Sequence, residues 1–100
     1  MPKYIQKPVE IEAVQWDHNR HEVMQFCRDL ISTDREKTRI GFESGPGGRV
    51  LIYPDPENTL RFITNMTQMA WPGDYIVRCS PGVYTVIDKK SFEETYQPEQ

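Results

Sequence analysis

"YIVRCSPGVYTVI", Tyr75 to Ile87, carries the clearest fold signal in the chain. Ser80, Pro81 and Gly82 make a tight turn, and the β-branched and aromatic runs on either side pair back on each other. Residues 75–87 therefore predict an antiparallel hairpin. Just before it stands "MAWPGD", Met69 to Asp74. Pro72 and Gly73 form the turn that starts the hairpin, and Asp74 is placed to hydrogen-bond nearby backbone, as Asp does in turns. The proline after Trp71 biases that residue to an extended conformation. Its indole either closes a core or is held out as a flat surface, with the adaptable Met66 and Met69 just ahead of it.

Upstream, "RIGFES" and "RVLIYP" predict two short strands around the hairpin loop "SGPGG", and "TLRFIT" is a further strand candidate. "KPVEIEAVQW" predicts the first strand, with Pro8 at its start. Val9, Ile11 and Ala13 alternate on one face, while Val14 and Trp16 fall on the other. Either that strand carries a bulge near Ala13 or its far end is covered on both sides. "DHNRHEVMQFCRDLI", residues 17–31, predicts the one long helix. Asn19 and Glu22 form a capping-box pattern, and Val23, Phe26, Cys27 and Leu30 make one apolar stripe. "DKKSFEETY" predicts a short terminal helical turn, capped by Asp88, with Phe92 and Tyr96 docking on the sheet. The expected architecture is α+β: a small antiparallel β-sheet of about five to six strands, one main α-helix packed across it, and the C-terminal turn. All of residues 1–100 belong to a single domain.

Composition narrows the function classes. The apolar fraction of 37% is below the ~45–50% typical of globular domains, which favours a homo-oligomer. Twelve basic against 15 acidic side chains give a net charge of −3, which argues against a dedicated DNA-binding surface. No stretch approaches the ~20 apolar residues that span a bilayer, and "MPKYIQKPVEIE" lacks the apolar core of a secretory signal. Cys27 and Cys79, the only cysteines, fit reduced thiols in a cytosol.

Catalytic constellations are not evident. "SGPGGRV" lacks the Lys-Ser/Thr ending of a P-loop and leads into a strand. His18 and His21 sit three apart, but no clear third and fourth metal ligands accompany them. Cys27 lies on the apolar stripe, where a thiol behaves as a small hydrophobe. The expectation is a protein that is not an enzyme and carries no cofactor and no metal.

What remains is aromatics beside arginines. Flat rings stack on bases and guanidinium groups grip phosphates, so the candidate ligand-binding set is Trp71, Trp16, Tyr75, Tyr84, Arg61, Arg78 and Arg39. The same residues also suit cross-strand core pairs and a wet sheet face.

The two ends carry a resemblance. Lys7, Pro8, Ala13, Gln15 and Trp16 match a "KP-x-x-x-x-A-x-Q-W" opening strand. Pro72, Gly73, Asp74, Tyr75 and Ile76 match "PGD-[YW]-I", and Phe92 with Tyr96 match an "F-x-x-x-Y" tail. In these features the chain resembles a widespread family of small phage and prophage proteins, most without an assigned activity. Residues 31–65 lie outside the likeness. The resemblance implies a phage accessory protein acting by binding in the host cytoplasm. One such class is the counter-defence sponge that sequesters a cyclic-nucleotide immune signal. The alternative is a protein–protein interaction module that inhibits or redirects a host protein.

Overall fold

The structure is a computed structural model, and the described residues are 11–54 and 66–96. Eight elements follow in the order β1 (Glu12–Gln15), α1 (Arg20–Phe26), β2 (Ile40–Phe42), β3 (Val50–Ile52), β4 (Gln68–Ala70), β5 (Tyr75–Ser80), β6 (Val83–Ile87) and α2 (Lys89–Thr95). Single 3-10 turns at Arg28–Leu30 and Arg35–Lys37 lie between α1 and β2. The class is α+β. The six strands form two antiparallel three-stranded sheets, β1-β5-β6 and β2-β3-β4, where the sequence suggested one.

The two sheets meet at a side chain instead of a ladder. The Gln68 carboxamide donates to the Tyr84 carbonyl at 2.8 Å and accepts from the Val86 N–H at 3.0 Å. It thereby occupies the open edge of β6 as a neighbouring strand would. One core lies between the sheets. Val14, Trp16, Val23, Cys27, Leu30, Ile40, Val50, Ile52, Ala70, Ile76 and Tyr84 are all buried in it.

The hairpin of β5 and β6 forms as predicted, with Tyr75 opposite Ile87 and Ser80 opposite Val83. Trp71, Pro72, Gly73 and Asp74 make the preceding turn, closed by the Asp74 N–H on the Trp71 carbonyl at 2.9 Å. Gly73 sits at φ +98°, a conformation that an L side chain rarely adopts. The Asp74 carboxylate accepts from the Trp71 and Lys89 N–H groups, so it ties the turn to the start of α2.

In β1 the core face is that of Val14 and Trp16. Ala13 lies on the other side, opposite Val77, which is itself only 5% exposed. The pairing from Glu12 to Gln15 is regular, so β1 is not bulged there, and Ala13 is half-buried on the face away from the core. The irregularity falls instead in β5, between Arg78 and Ser80. "TLRFIT" lies outside the described residues. β4, which sequence reasoning did not assign, supplies the strand next to β3.

The helix differs from expectation in length. Asn19 caps it by accepting from the Glu22 N–H, and Val23, Cys27 and Leu30 turn inward as the stripe requires. It nevertheless stops at Phe26, so α1 and α2 are each seven residues and neither is a single main helix. The reason is the Phe26 carbonyl. Arg78 donates to it with the Tyr84 hydroxyl close by, and the Leu30 N–H turns to Cys27 in a 3-10 bond instead. No helix among the described residues is long and apolar enough to cross a membrane.

Candidate functional site

Side chains alternate across a strand, so each strand of β2-β3-β4 has an inner and an outer set. Val50, Ile52 and Ala70 point inward and are at most 3% exposed. The outer set is Arg39, Gly41 and Glu43; Arg49, Leu51 and Tyr53; Met69 and Trp71. The ladder continues past the strand ends, through Glu43 N–H to Arg49 carbonyl and Tyr53 N–H to Arg39 carbonyl, each at 2.9 Å. Register then places Trp71 opposite Arg49, since Ala70 pairs with Val50.

This outer face carries large apolar groups in solvent. Trp71 is 54% exposed, Met69 45% and Tyr53 39%. Tyr53 lies back across the sheet onto Gly41, where an added Cβ would sit 3.1 Å from its hydroxyl. Glycine at 41 is thus what lets the ring lie on the sheet. At the other end the Arg49 guanidinium sits 5.0 Å from the Trp71 ring centroid. Such a contact contributes ~0.5–1 kcal/mol at an exposed site. Two guanidinium nitrogens of Arg49 grip the Glu43 carboxylate, at 2.5 and 2.8 Å, and a third meets the Met69 sulfur at 2.8 Å. These hydrogen bonds from Arg49 hold the Glu43 carboxyl down at about 2. Glu43, Arg49 and Trp71 therefore make one cross-strand row that fixes the indole without a surplus charge.

The other sequence-predicted residues lie elsewhere. Trp16 is 1% exposed, and its indole N–H donates to the Gly48 carbonyl at 2.9 Å, so it is a core residue with no surface for a ligand. Tyr84 is likewise in the core, 5% exposed, and its hydroxyl meets Asp29 and the Phe26 carbonyl. Burial, then the Asp29 contact, pushes the Tyr84 hydroxyl up to about 12. Arg78 is committed to Glu12, the Phe26 carbonyl and the Tyr84 hydroxyl, with its guanidinium 4.5 Å from the Phe26 ring centroid. Tyr75 belongs to the other sheet. It stacks on Phe92 at 3.9 Å and donates to Glu93 at 3.1 Å. Arg39 donates to the Tyr53 and Gly82 carbonyls, at 3.2 and 3.4 Å. Arg61 is outside the described residues.

Of the six candidates among the described residues, only Trp71 and Arg39 share the exposed face. The candidate ligand-binding set does not include its other members, Glu43, Arg49, Leu51, Tyr53 and Met69, although Met69 stands out beside Trp71, and Arg49 and Tyr53 belong to the same mixture of aromatics and arginines. The available signal was strand parity: once Val50 and Ile52 are inward, Arg49, Leu51 and Tyr53 must be outward. Among the described residues, no group of three or more His, Cys, Asp or Glu side chains could hold a metal ion. No family model, curated protein or solved structure matches the chain.

Proposed function

We propose that this chain is a non-enzymatic binding protein that engages a partner protein through the outer face of β2-β3-β4. On the likeness of its two ends to small phage proteins, we take it as a phage accessory protein that inhibits or redirects a host protein in the host cytoplasm. The observation that carries the reading is Trp71, half exposed yet held in place by Arg49 and Glu43, beside exposed Met69 and Tyr53. Trp, Tyr, Met and Arg are the residues enriched at protein interfaces, and a fixed aromatic loses little entropy on binding.

The test uses immobilised protein and host lysate, followed by reconstitution of the recovered complex from purified components. Trp71→Ala is expected to weaken the reconstituted complex by tenfold or more, as loss of an interface anchor of ~2 kcal/mol does. Lys90→Ala, on exposed α2, is expected to leave it unchanged. Equal affinity of wild type and Trp71→Ala would refute the reading.

The cyclic-nucleotide sponge is the second reading. Its support is the same indole, which is a stacking platform beside a guanidinium. Against it, Arg49 and Arg78 already hold carboxylates, so neither offers a ready phosphate fork. A Trp71-dependent thermal shift with a cyclic dinucleotide would reverse the order of the two.

A further inference from the structure

We propose that Met69 is a redox modification site: a peroxide converts its thioether to the sulfoxide, and the new oxygen draws the Arg49 guanidinium off Glu43 and releases the Trp71 ring. The proposal stands on these four side chains; only its consequence for a partner rests on the function proposed above.

Three observations meet at Met69. The residue is 45% exposed, so a small oxidant reaches it in the folded chain. Its sulfur accepts from an Arg49 guanidinium nitrogen at 2.8 Å. The other two guanidinium nitrogens hold the Glu43 carboxylate, and the same group sits 5.0 Å from the Trp71 ring centroid. Met24 and Met66 are exposed too, but it is the Met69 sulfur that Arg49 meets. Within this row, the thioether is the acceptor whose strength covalent chemistry can change.

The step is a two-electron oxygen transfer. A sulfur lone pair attacks one oxygen of hydrogen peroxide, the S–O bond forms and the O–O bond breaks. The proton of the transferred hydroxyl passes to the leaving hydroxide, giving water. Sulfur is oxidised, the peroxide is reduced, and the product is a polar sulfoxide that reductases return to the thioether.

Arg49 turns that change into movement. A thioether is a weak acceptor, whereas the sulfoxide oxygen is a strong one placed a single bond from the sulfur that Arg49 already meets. The guanidinium is a rigid plane, so turning one nitrogen towards the new oxygen turns the whole group. Its two bonds to Glu43 and its contact with the indole are disturbed together.

The test treats the full chain with hydrogen peroxide in a Cys79→Ser background, because that exposed thiol competes for the oxidant. Peptide mass spectrometry follows oxygen on each methionine, and tryptophan fluorescence follows the ring. Trp16 is 1% exposed and serves as the constant background. The expected result is a red shift of emission and stronger quenching by acrylamide, both rising in step with oxygen on Met69. A methionine sulfoxide reductase reverses both. Met69→Leu and Trp71→Phe, each checked first for the wild-type thermal midpoint, abolish the response. Arg49→Gln abolishes it as well, although its Met69 is still oxidised. Met69 left unoxidised while Met66 reacts, full oxidation of Met69 with unchanged fluorescence, or the same response in Arg49→Gln would each overturn the proposal. None of these results touches the comparison of wild type with Trp71→Ala in the reconstituted complex. Indifference there would remove the partner, and would leave the response of Trp71 to peroxide as it is.

Discussion

Replacing Gln68 by Leu should separate the two sheets at the point where they are joined. The carboxamide makes two hydrogen bonds to β6, one from each of its ends, at 2.8 and 3.0 Å. A hydrogen bond is worth ~0.5–1.5 kcal/mol net, and leaving a buried backbone group without a partner costs ~1–3 kcal/mol. Tyr84, whose carbonyl would be stranded, is 5% exposed, whereas Val86 is only half-buried and can recruit water. Weighing the two groups, Gln68→Leu should cost about 2–4 kcal/mol. Each kcal/mol shifts the midpoint of a domain of this size by ~4–8 °C, so thermal melting followed by circular dichroism resolves the change easily.

Gln68→Glu sharpens the same point. An ionised carboxylate still accepts from the Val86 N–H but has no donor for the Tyr84 carbonyl, and two acceptors would then face each other. Protonation restores the donor, so folding favours the neutral form and raises the carboxyl above its unfolded value near ~4.3. The deficit of the variant relative to wild type should therefore be smallest near pH 4 and grow as pH rises through the folded value. The reasoning fails if Gln68→Leu stays within about 0.5 kcal/mol of wild type, the range of an ordinary surface change. It fails equally if the Gln68→Glu deficit does not depend on pH.

Two further outcomes follow from the polar cluster at the end of α1. Tyr84→Phe removes the hydroxyl that meets Asp29 and the Phe26 carbonyl, and should cost about 1.5–3 kcal/mol in urea titration. Burial pushes the Asp29 carboxyl up, but hydrogen bonds from Tyr84 and the Gly82 N–H outweigh it and hold it below the ordinary range. A depressed folded value stabilises above the unfolded pKa and is lost as pH falls through it, so wild type should lose more stability than Tyr84→Phe on acidification below about pH 4. Burial, then Asp29, pushes the Cys27 thiol up to about 12, while Cys79 is exposed. With a thiol-reactive disulfide at neutral pH, one equivalent should react promptly and the second only on unfolding. Prompt reaction of both would place Cys27 outside the core.

Local signals were legible where one stretch of chain decides the outcome. Pro72, Gly73 and Asp74 specify their turn without help from the rest of the fold, and so do Asn19 and Asp88 as caps. The β5–β6 hairpin is equally local. What failed depends on distant partners. Sequence periodicity continues the helix to Ile31, yet Arg78 and Tyr84, from the far hairpin, take the carbonyl that the next turn would use. The division into two sheets rests on Gln68, a residue with no strand-like signature, reaching across to β6.

The site was harder to read because both faces of β3 are apolar. In "RVLIYP" Val50 and Ile52 go to the core while Leu51, half-buried, and Tyr53, exposed, go to the outer face, and composition alone cannot tell the pairs apart. The two indoles show the same ambiguity. Trp16 and Trp71 are each followed by a turn, but a buried indole needs an acceptor for its N–H. Gly48, in a loop 32 residues away, supplies it to Trp16. Trp71 has the opposite support: its backbone is fixed by Asp74 and its ring by Arg49, both acting from the solvent side of the sheet. The row of Glu43, Arg49 and Trp71 stabilises an exposed ring in one place, and that is the property a docking surface requires.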